Sequence, residues 1–262
     1  MRSPVRWRLH IAALLLIASA VVSAFAGAAS AGHARSGKTT AGLTVLAASS
    51  LTNVFPQIAP LNKYSFGGSD VLYAQILQGA PADVYAAASP KYPQLLYQKG
   101  LVSKPVVFAS NRLVVVTPTS NPAGINTVYG LCKPGVKVVM GDKAVPIGSY
   151  TRQILTNLGL QCVLSNVVSN EQNVRDILTK VSLNEADAGF VYVTDAKTVP
   201  GKVNTIFLPG WAQPHVKYEM AVLTSSSNKA AGAAFIAQVL SKRGQRIMAS
   251  AAFGPPKGTV TK

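Results

Sequence analysis

The stretch Val45-Leu46-Ala47-Ala48-Ser49-Ser50-Leu51-Thr52-Asn53 decides how the rest of the chain is read. Residues 43–46 are a short apolar run with a β-branched residue, which predicts a buried strand. Ala47 and Ala48 leave room for close approach of another group. Leu51, Val54, Phe55 and Ile58 then recur at helical spacing. A strand therefore runs into a helix whose first turn carries the hydroxyls of Ser49, Ser50 and Thr52. That turn also carries backbone N–H groups with no acceptor inside the helix. These are the parts of an anion site. They are equally the parts of an ordinary helix start, with Ser50 as the cap. Convergence of other parts of the chain on the same point would separate the two readings.

Further along, Tyr64-Ser65-Phe66 reads as a second strand that breaks into Gly67-Gly68-Ser69, followed by a helix marked by Val71, Leu72, Ile76 and Leu77. The two glycines would let backbone approach a ligand; the same residues also make a tight turn with a capping serine. A third buried strand is expected near Val84, a helix over 90–99 ending at Gly100, and one long buried strand over 108–117, stopped by Pro118. The alternation then restarts. Strands are expected at 136–140, 163–168, 188–192 and 203–208, with helices opening at Ser149 and Val174. A strand over 217–223 and helices over 230–241 and 244–251 complete the pattern. Alternating strands and helices predict two α/β lobes. Crossovers are expected near 117–121 and 214–221. Lobe 1 would then be 43–117 with 221–262, and lobe 2 would be 118–220. Ligands of open α/β sheets sit beyond the carboxyl ends of the strands, where these loops lie.

The N-terminus is read separately. Arg2, Arg6 and Arg8 precede an apolar run over 11–26, and Ala29-Ser30-Ala31 fits a small-x-small cleavage site. Residues 1–31 are expected to be a signal peptide and 32–42 a flexible leader. Removing 31 of 262 residues leaves 231, enough for a two-lobed protein with a proper core. The formal net charge is +16, of which the three signal arginines supply three, leaving +13. The basic residues are scattered, with no aromatic platform among them, so no nucleic-acid partner is expected. They constitute a solvated surface that attracts anions at long range. Two cysteines in an exported chain, Cys132 and Cys162, suggest a disulfide. His33 and His215 fall in no predicted site loop and acidic residues number nine, so an enzyme is not expected. The serine at 50 lacks a Gly-x-Ser-x-Gly setting.

Several pieces, taken in order, carry a family resemblance. They are the opening stretch, Gly79-Ala80-Pro81-Ala82-Asp83-Val84, Leu113-Val114-Val115-Val116, Gly141-Asp142 with Val145-Pro146-Ile147-Gly148-Ser149-Tyr150, Asn173-Val174-Arg175, and Gly189-Phe190-Val191-Tyr192 with Thr194-Asp195-Ala196. Together they resemble the exported molybdate-binding (ModA) family of ABC importers over about 43–262. The resemblance implies a type II periplasmic-binding-protein fold, two α/β lobes joined by two crossover strands, closing on molybdate or tungstate. It implies no cofactor, a monomer, and partnership with an ABC permease and its ATPase on the outer face of the cytoplasmic membrane. The membrane would be met only through that permease.

Carried over singly, the implied ligand-binding residues are Ser50 and Ser69 through hydroxyls, Ile147 and Val174 through backbone N–H, and Tyr192 through its phenol. Ser49 competes with Ser50. Two departures stand out: Ile147 where the family often has Ala, and Asp70 where a hydroxyl is common. Asp70 facing the site would repel a dianion; facing outward, the expected orientation, it would favour the helix N-terminus. The implied site has no Lys or Arg, so neutral dipoles would hold the ion. An all-donor site suits a fully deprotonated oxyanion; another oxyanion, sulfate or phosphate, is the alternative ligand. A carboxylate binder would present an arginine, with Arg112 and Arg175 the ones to inspect.

Overall fold

The computed structural model describes residues 42–256, so the expected signal peptide and the leader up to residue 41 lie outside the described residues. The opening apolar run forms β1 (Thr44–Ala48), buried over its last four residues. It pairs in parallel with β2 (Lys63–Gly67) on one side and β3 (Val84–Ala87) on the other. The central strand must hide both faces, which is why it is apolar without alternation. β4 (Val106–Asn111) and β10 (Val216–Val222) complete a five-stranded sheet of order β2-β1-β3-β10-β4, with β10 antiparallel to both neighbours. Helices α1 (Phe55–Ile58), α2 (Ser69–Leu77) and α3 (Lys91–Gln98) connect its first strands.

The second sheet repeats the plan. β5 (Leu113–Pro118), β6 (Val138–Gly141), β7 (Val167–Glu171), β8 (Ala188–Tyr192) and β9 (Val203–Phe207) adopt the order β7-β6-β8-β5-β9. Here β6 is parallel to β7 and β8, and β5 is the antiparallel member. Helices α4 (Pro146–Leu158), α5 (Val174–Ser182) and the single turn α6 (Val193–Ala196) belong to this lobe; α7 (Lys229–Leu240) and α8 (Lys242–Ser250) return to the first. In each sheet, therefore, the strand arriving from the other lobe is inserted antiparallel in the fourth position.

This topology corrects the expected lobe boundaries. Residues 108–117 do not form one strand of lobe 1. The run divides at Arg112, with β4 in the first sheet and β5 in the second, so the first crossover is there and not at 117–121. The return crossover is the segment 208–215, which contains a 3-10 turn at Gly210–Ala212, and all of β10 lies in the first sheet and not partly in lobe 2. The apolar residues Val114, Val115 and Val116 are buried whichever sheet receives them, so hydrophobic pattern carries no mark of the exchange. The strand expected at 163–168 is also displaced: residues Gln161–Asn166 form a 3-10 turn and β7 begins at Val167. Val163 is buried inside that turn, beside the bond joining Cys132 and Cys162, whose Cα atoms are 5.4 Å apart.

The core of the first lobe is aromatic. The Phe55 ring lies 5.7 Å from Phe108 and 5.4 Å from Phe235, and the Tyr218 ring lies 5.9 Å from Phe108 and 5.4 Å from Phe253. Each such ring stabilises the fold by about 1.5–3 kcal/mol through burial. These contacts hold β10 and its Tyr218 against the end of β1, where the site is built. No helix among the described residues is long and apolar enough to cross a membrane.

Candidate functional site

Between the lobes lies a small cavity with about 210 Å³ of atom-free space. That figure counts space open to solvent, and even so it is below the range of pockets for drug-sized molecules. Ser50, Ser69, Ile147, Val174 and Tyr192, the five residues singled out in the sequence, all line it. Ser49 lines it as well, so the competition between the neighbouring serines is not removed by position alone. Neither acid nor base is among the lining residues.

The cavity is built from strand ends and helix starts. β1 ends at Ala48 and turns through a 3-10 segment at Ser49–Leu51, whose N-cap makes no side-chain hydrogen bond. Ser50 is thus not a helix cap, contrary to the simple reading of its position. Its Oγ instead lies 2.9 Å from the Tyr218 hydroxyl, 168 residues away. Ser69 opens α2, and its Oγ accepts from the Ala88 amide at 3.1 Å, while its carbonyl accepts from the Tyr85 hydroxyl at 2.6 Å.

From the second lobe, Pro146 opens α4 with its φ preset and without an N–H to satisfy, so Ile147 presents one of the first free amides of the helix. Gly148 lets the helix start there at all. A Cβ on it would sit 2.0 Å from the Asp142 carbonyl oxygen and 2.3 Å from that of Gly141. Asn173 caps α5, its Oδ1 accepting the amides of Arg175 at 2.9 Å and Asp176 at 3.2 Å. The Val174 amide, ahead of both, has no acceptor within the helix. Three helix N-termini therefore meet at one cavity and bring positive dipole ends with them.

Tyr192 ends β8 on the cavity wall. It is 1% exposed, and its hydroxyl has no hydrogen-bond partner among the described residues. Burial holds it far above the usual phenol range, so it remains a neutral donor. A buried hydroxyl left unpaired costs about 1–3 kcal/mol, and its presence on this wall calls for a guest.

Other sequence expectations resolve as follows. Gly67 and Gly68 line the cavity, and Gly68 also meets the second lobe: a Cβ there would lie 2.3 Å from the Gln172 carbonyl oxygen across the cleft. Asp70 does not line the cavity. It lies in the first turn of α2, where burial pushes its carboxyl above the usual range and the amides of Asp70 and Val71 oppose that shift. Arg112 is exposed and Arg175 faces Asp195, so neither arginine lines the cavity. His215 is exposed, and no group of acids, cysteines and histidines suited to a metal ion occurs among the described residues.

Sequence reading missed three contributors. Tyr218 and Asn111 stand behind Ser50, with Asn111 Nδ2 donating to the Tyr218 hydroxyl at 3.2 Å. Neither carries a motif signal, since Tyr218 sits in an ordinary apolar strand. The third is the buried pair behind α5, where Arg175 Nε lies 2.9 Å from Asp195 Oδ1 without the alignment of a hydrogen bond. Burial pushes the Asp195 carboxyl up to about 7 even though Arg175 opposes it.

Comparison with known proteins gives a concordant set of likenesses. Residues 43–254 match the family described as bacterial extracellular solute-binding protein. The molybdate-binding protein ModA of Mycobacterium tuberculosis (strain H37Rv) is 37% identical over 224 residues, covering 82% of this chain and 85% of the relative. That of Escherichia coli (strain K12) is 31% identical over 202 residues, covering 71% and 79%. The structure of the Azotobacter vinelandii periplasmic molybdate-binding protein superposes with a TM-score of 0.73 at 23% identity, covering 82% of this chain and all of the other, and shares the fold.

Proposed function

The chain belongs to the bacterial extracellular solute-binding proteins, among the ModA molybdate-binding proteins, and from that membership we propose that it captures molybdate between its lobes and delivers it to an ABC transporter permease. The observation that carries the reading is the unpartnered Tyr192 hydroxyl in a cavity lined by other hydroxyls, helix-start amides and apolar groups. Ser50, Ser69 and Tyr192 donate O–H groups to the oxyanion, and Ile147 and Val174 donate N–H groups. Bonds to a charged oxygen contribute about 1.5–3 kcal/mol each, so five give roughly 8–15 kcal/mol before the cost of closing the lobes. Micromolar binding requires about 8 kcal/mol, so the upper part of that range leaves room for the cost of closure without an arginine.

Tungstate has the same charge and shape class and binds in the same way. Each copy carries a complete cavity, in keeping with action as a monomer. The basic N-terminal segment followed by an apolar run supports export, and the permease with its ATPase is the partner outside the cytoplasm.

Calorimetry and thermal shift with molybdate, tungstate, sulfate and phosphate test the reading. Stabilisation by molybdate and tungstate is expected. No response to molybdate, or a larger one to phosphate, overturns it.

A further inference from the structure

A serine hydroxyl can donate or accept, and the contact between Ser50 and Tyr218 by itself leaves the direction open. Asn111 closes the question. Its Oδ1 accepts the Arg112 amide at 2.9 Å, which fixes the orientation of the side-chain amide. Its Nδ2 has only hydrogens to offer, and it gives them to Thr194 Oγ1 at 3.0 Å and to the Tyr218 oxygen at 3.2 Å. Tyr218 thus accepts from Asn111. Its one hydrogen has a single remaining acceptor among the described residues, Ser50 Oγ at 2.9 Å. Ser50 accepts from Tyr218, and its own hydrogen is left for the cavity. All three side chains are buried: Tyr218 is fully enclosed and Ser50 is 3% exposed. No water exchange is needed to complete the chain.

We propose that Tyr218, oriented by Asn111, is a positioning residue that turns the Ser50 hydroxyl towards donating its hydrogen to a bound oxyanion. This rests on the oxyanion reading given above. Ser69 is set in the same sense, because its Oγ already accepts from the Ala88 amide. Two of the three hydroxyls lining the cavity from Ser50, Ser69 and Tyr192 therefore have an oxygen occupied by a protein donor and a hydrogen left over. A molybdate dianion offers an acceptor to each. Monohydrogen phosphate has the same charge, but at Ser50 its P–OH hydrogen meets a hydroxyl already engaged by Tyr218 and turned to donate. The buried Tyr218 phenol is held far above its usual range, so it does not ionise and the direction of the chain does not reverse near neutral pH.

The test is a double-mutant cycle read by calorimetry at pH 8, with sodium molybdate and inorganic phosphate as probes. Tyr218→Phe should weaken molybdate binding about 5- to 30-fold in the wild-type background, the loss expected for one hydrogen bond's worth of positioning. In the Ser50→Ala background it should change binding by less than about twofold, since the residue it acts through is gone. The ratio of phosphate to molybdate dissociation constants should narrow in Tyr218→Phe, because the freed Ser50 can rotate and accept. A loss of equal size in both backgrounds, or unchanged molybdate affinity in Tyr218→Phe, overturns the proposal. Asn111→Leu should reproduce the pattern, and its cycle against Ser50→Ala decides the matter if Tyr218→Phe fails to fold by circular dichroism. A wild-type protein that ignores molybdate but binds sulfate overturns the ligand, and the same cycle with sodium sulfate then decides the role of Tyr218: coupling to Ser50 supports it and equal losses in both backgrounds overturn it. One that binds no tetrahedral oxyanion overturns both.

Discussion

The hydroxyl of Tyr92, in α3 of the first lobe, donates to the carbonyl of Ala144 in the second lobe at 2.5 Å. Ala144 lies three residues before Ile147, so the bond spans the cleft close to a proposed ligand amide. Burial pushes the Tyr92 phenol up to about 12, so it is a donor throughout the physiological range. Tyr92→Phe removes one bond made only when the lobes are together. Affinity for molybdate should fall by about 1 kcal/mol, with the change in the dissociation rate and none in the order of preference among oxyanions. Stopped-flow measurement of release checks this; an altered order of preference would place Tyr92 in recognition and not in closure.

Gly68 makes a second close approach between the lobes near the cavity, and its backbone runs against the Gln172 carbonyl. Gly68→Ala places a methyl 2.3 Å from that oxygen, far inside contact distance. The lobes must then stay apart by enough to relieve the clash. Molybdate affinity should drop at least tenfold, while ligand-free unfolding temperature changes little, since the φ of −63° at Gly68 is open to any residue and the methyl's 2.8 Å approach to Asp70 Oδ1 is relieved by rotation of that side chain. Small-angle scattering with and without molybdate would reveal the failure to close. Full closure of the variant would remove the steric account.

Tyr192→Phe should separate binding from stability. The hydroxyl has no partner in the protein, so its removal leaves no protein group unpaired and does not lower the ligand-free unfolding temperature. Molybdate binding should lose about 1.5–3 kcal/mol, the contribution of one hydrogen bond to a charged oxygen. Calorimetry paired with differential scanning measures both quantities. A variant that binds normally would show that the phenol points at no ligand.

Asp195 gives a pH dependence with a definite sign. Its carboxyl titrates near 7 when folded and near 3.8 in its ordinary state, so between those values the folded chain binds the extra proton. Stability from this group is fully present below about pH 4 and is lost as pH rises through 7. The full span is on the order of a few kcal/mol. Asp195→Asn abolishes that fall, so the stability of the variant relative to wild type should grow from pH 4 to pH 7 in denaturant titrations. Parallel curves for the two proteins across that window would exclude Asp195 as the source.

Reduction of the bond between Cys132 and Cys162 opens a loop of 30 residues. The chain-entropy estimate for such a loop is about 3–4 kcal/mol. Reduced protein should unfold at lower denaturant concentration and bind molybdate with little change once folded, since neither cysteine lines the cavity. Loss of binding in folded, reduced protein would tie this staple to the site.

Much of this molecule was legible as sequence because the relevant physics is local. A strand that must bury both faces reads as an apolar run, and a helix start reads as Asn173 followed by amides with no internal acceptor. Those rules operate within four residues, and they located β1 and the openings of α2 and α5; α4 was expected from Ser149 and starts three residues earlier, at Pro146, because a proline at the first helical position needs no N–H acceptor. The order of the quoted motifs carried the family and, with it, five of the residues that line the cavity. What stayed hidden depended on partners far along the chain. The exchange of sheets at Arg112, the shift of β7 and the Gly68–Gln172 contact follow from which strand pairs with which, and burial is the same for either choice. Ser50 shows the division most clearly. Local pattern made it a hydroxyl at the start of a helical turn and suggested a cap. Only the antiparallel insertion of β10 brings Tyr218 within 2.9 Å, with Asn111 behind it, and so determines the direction in which that hydroxyl donates.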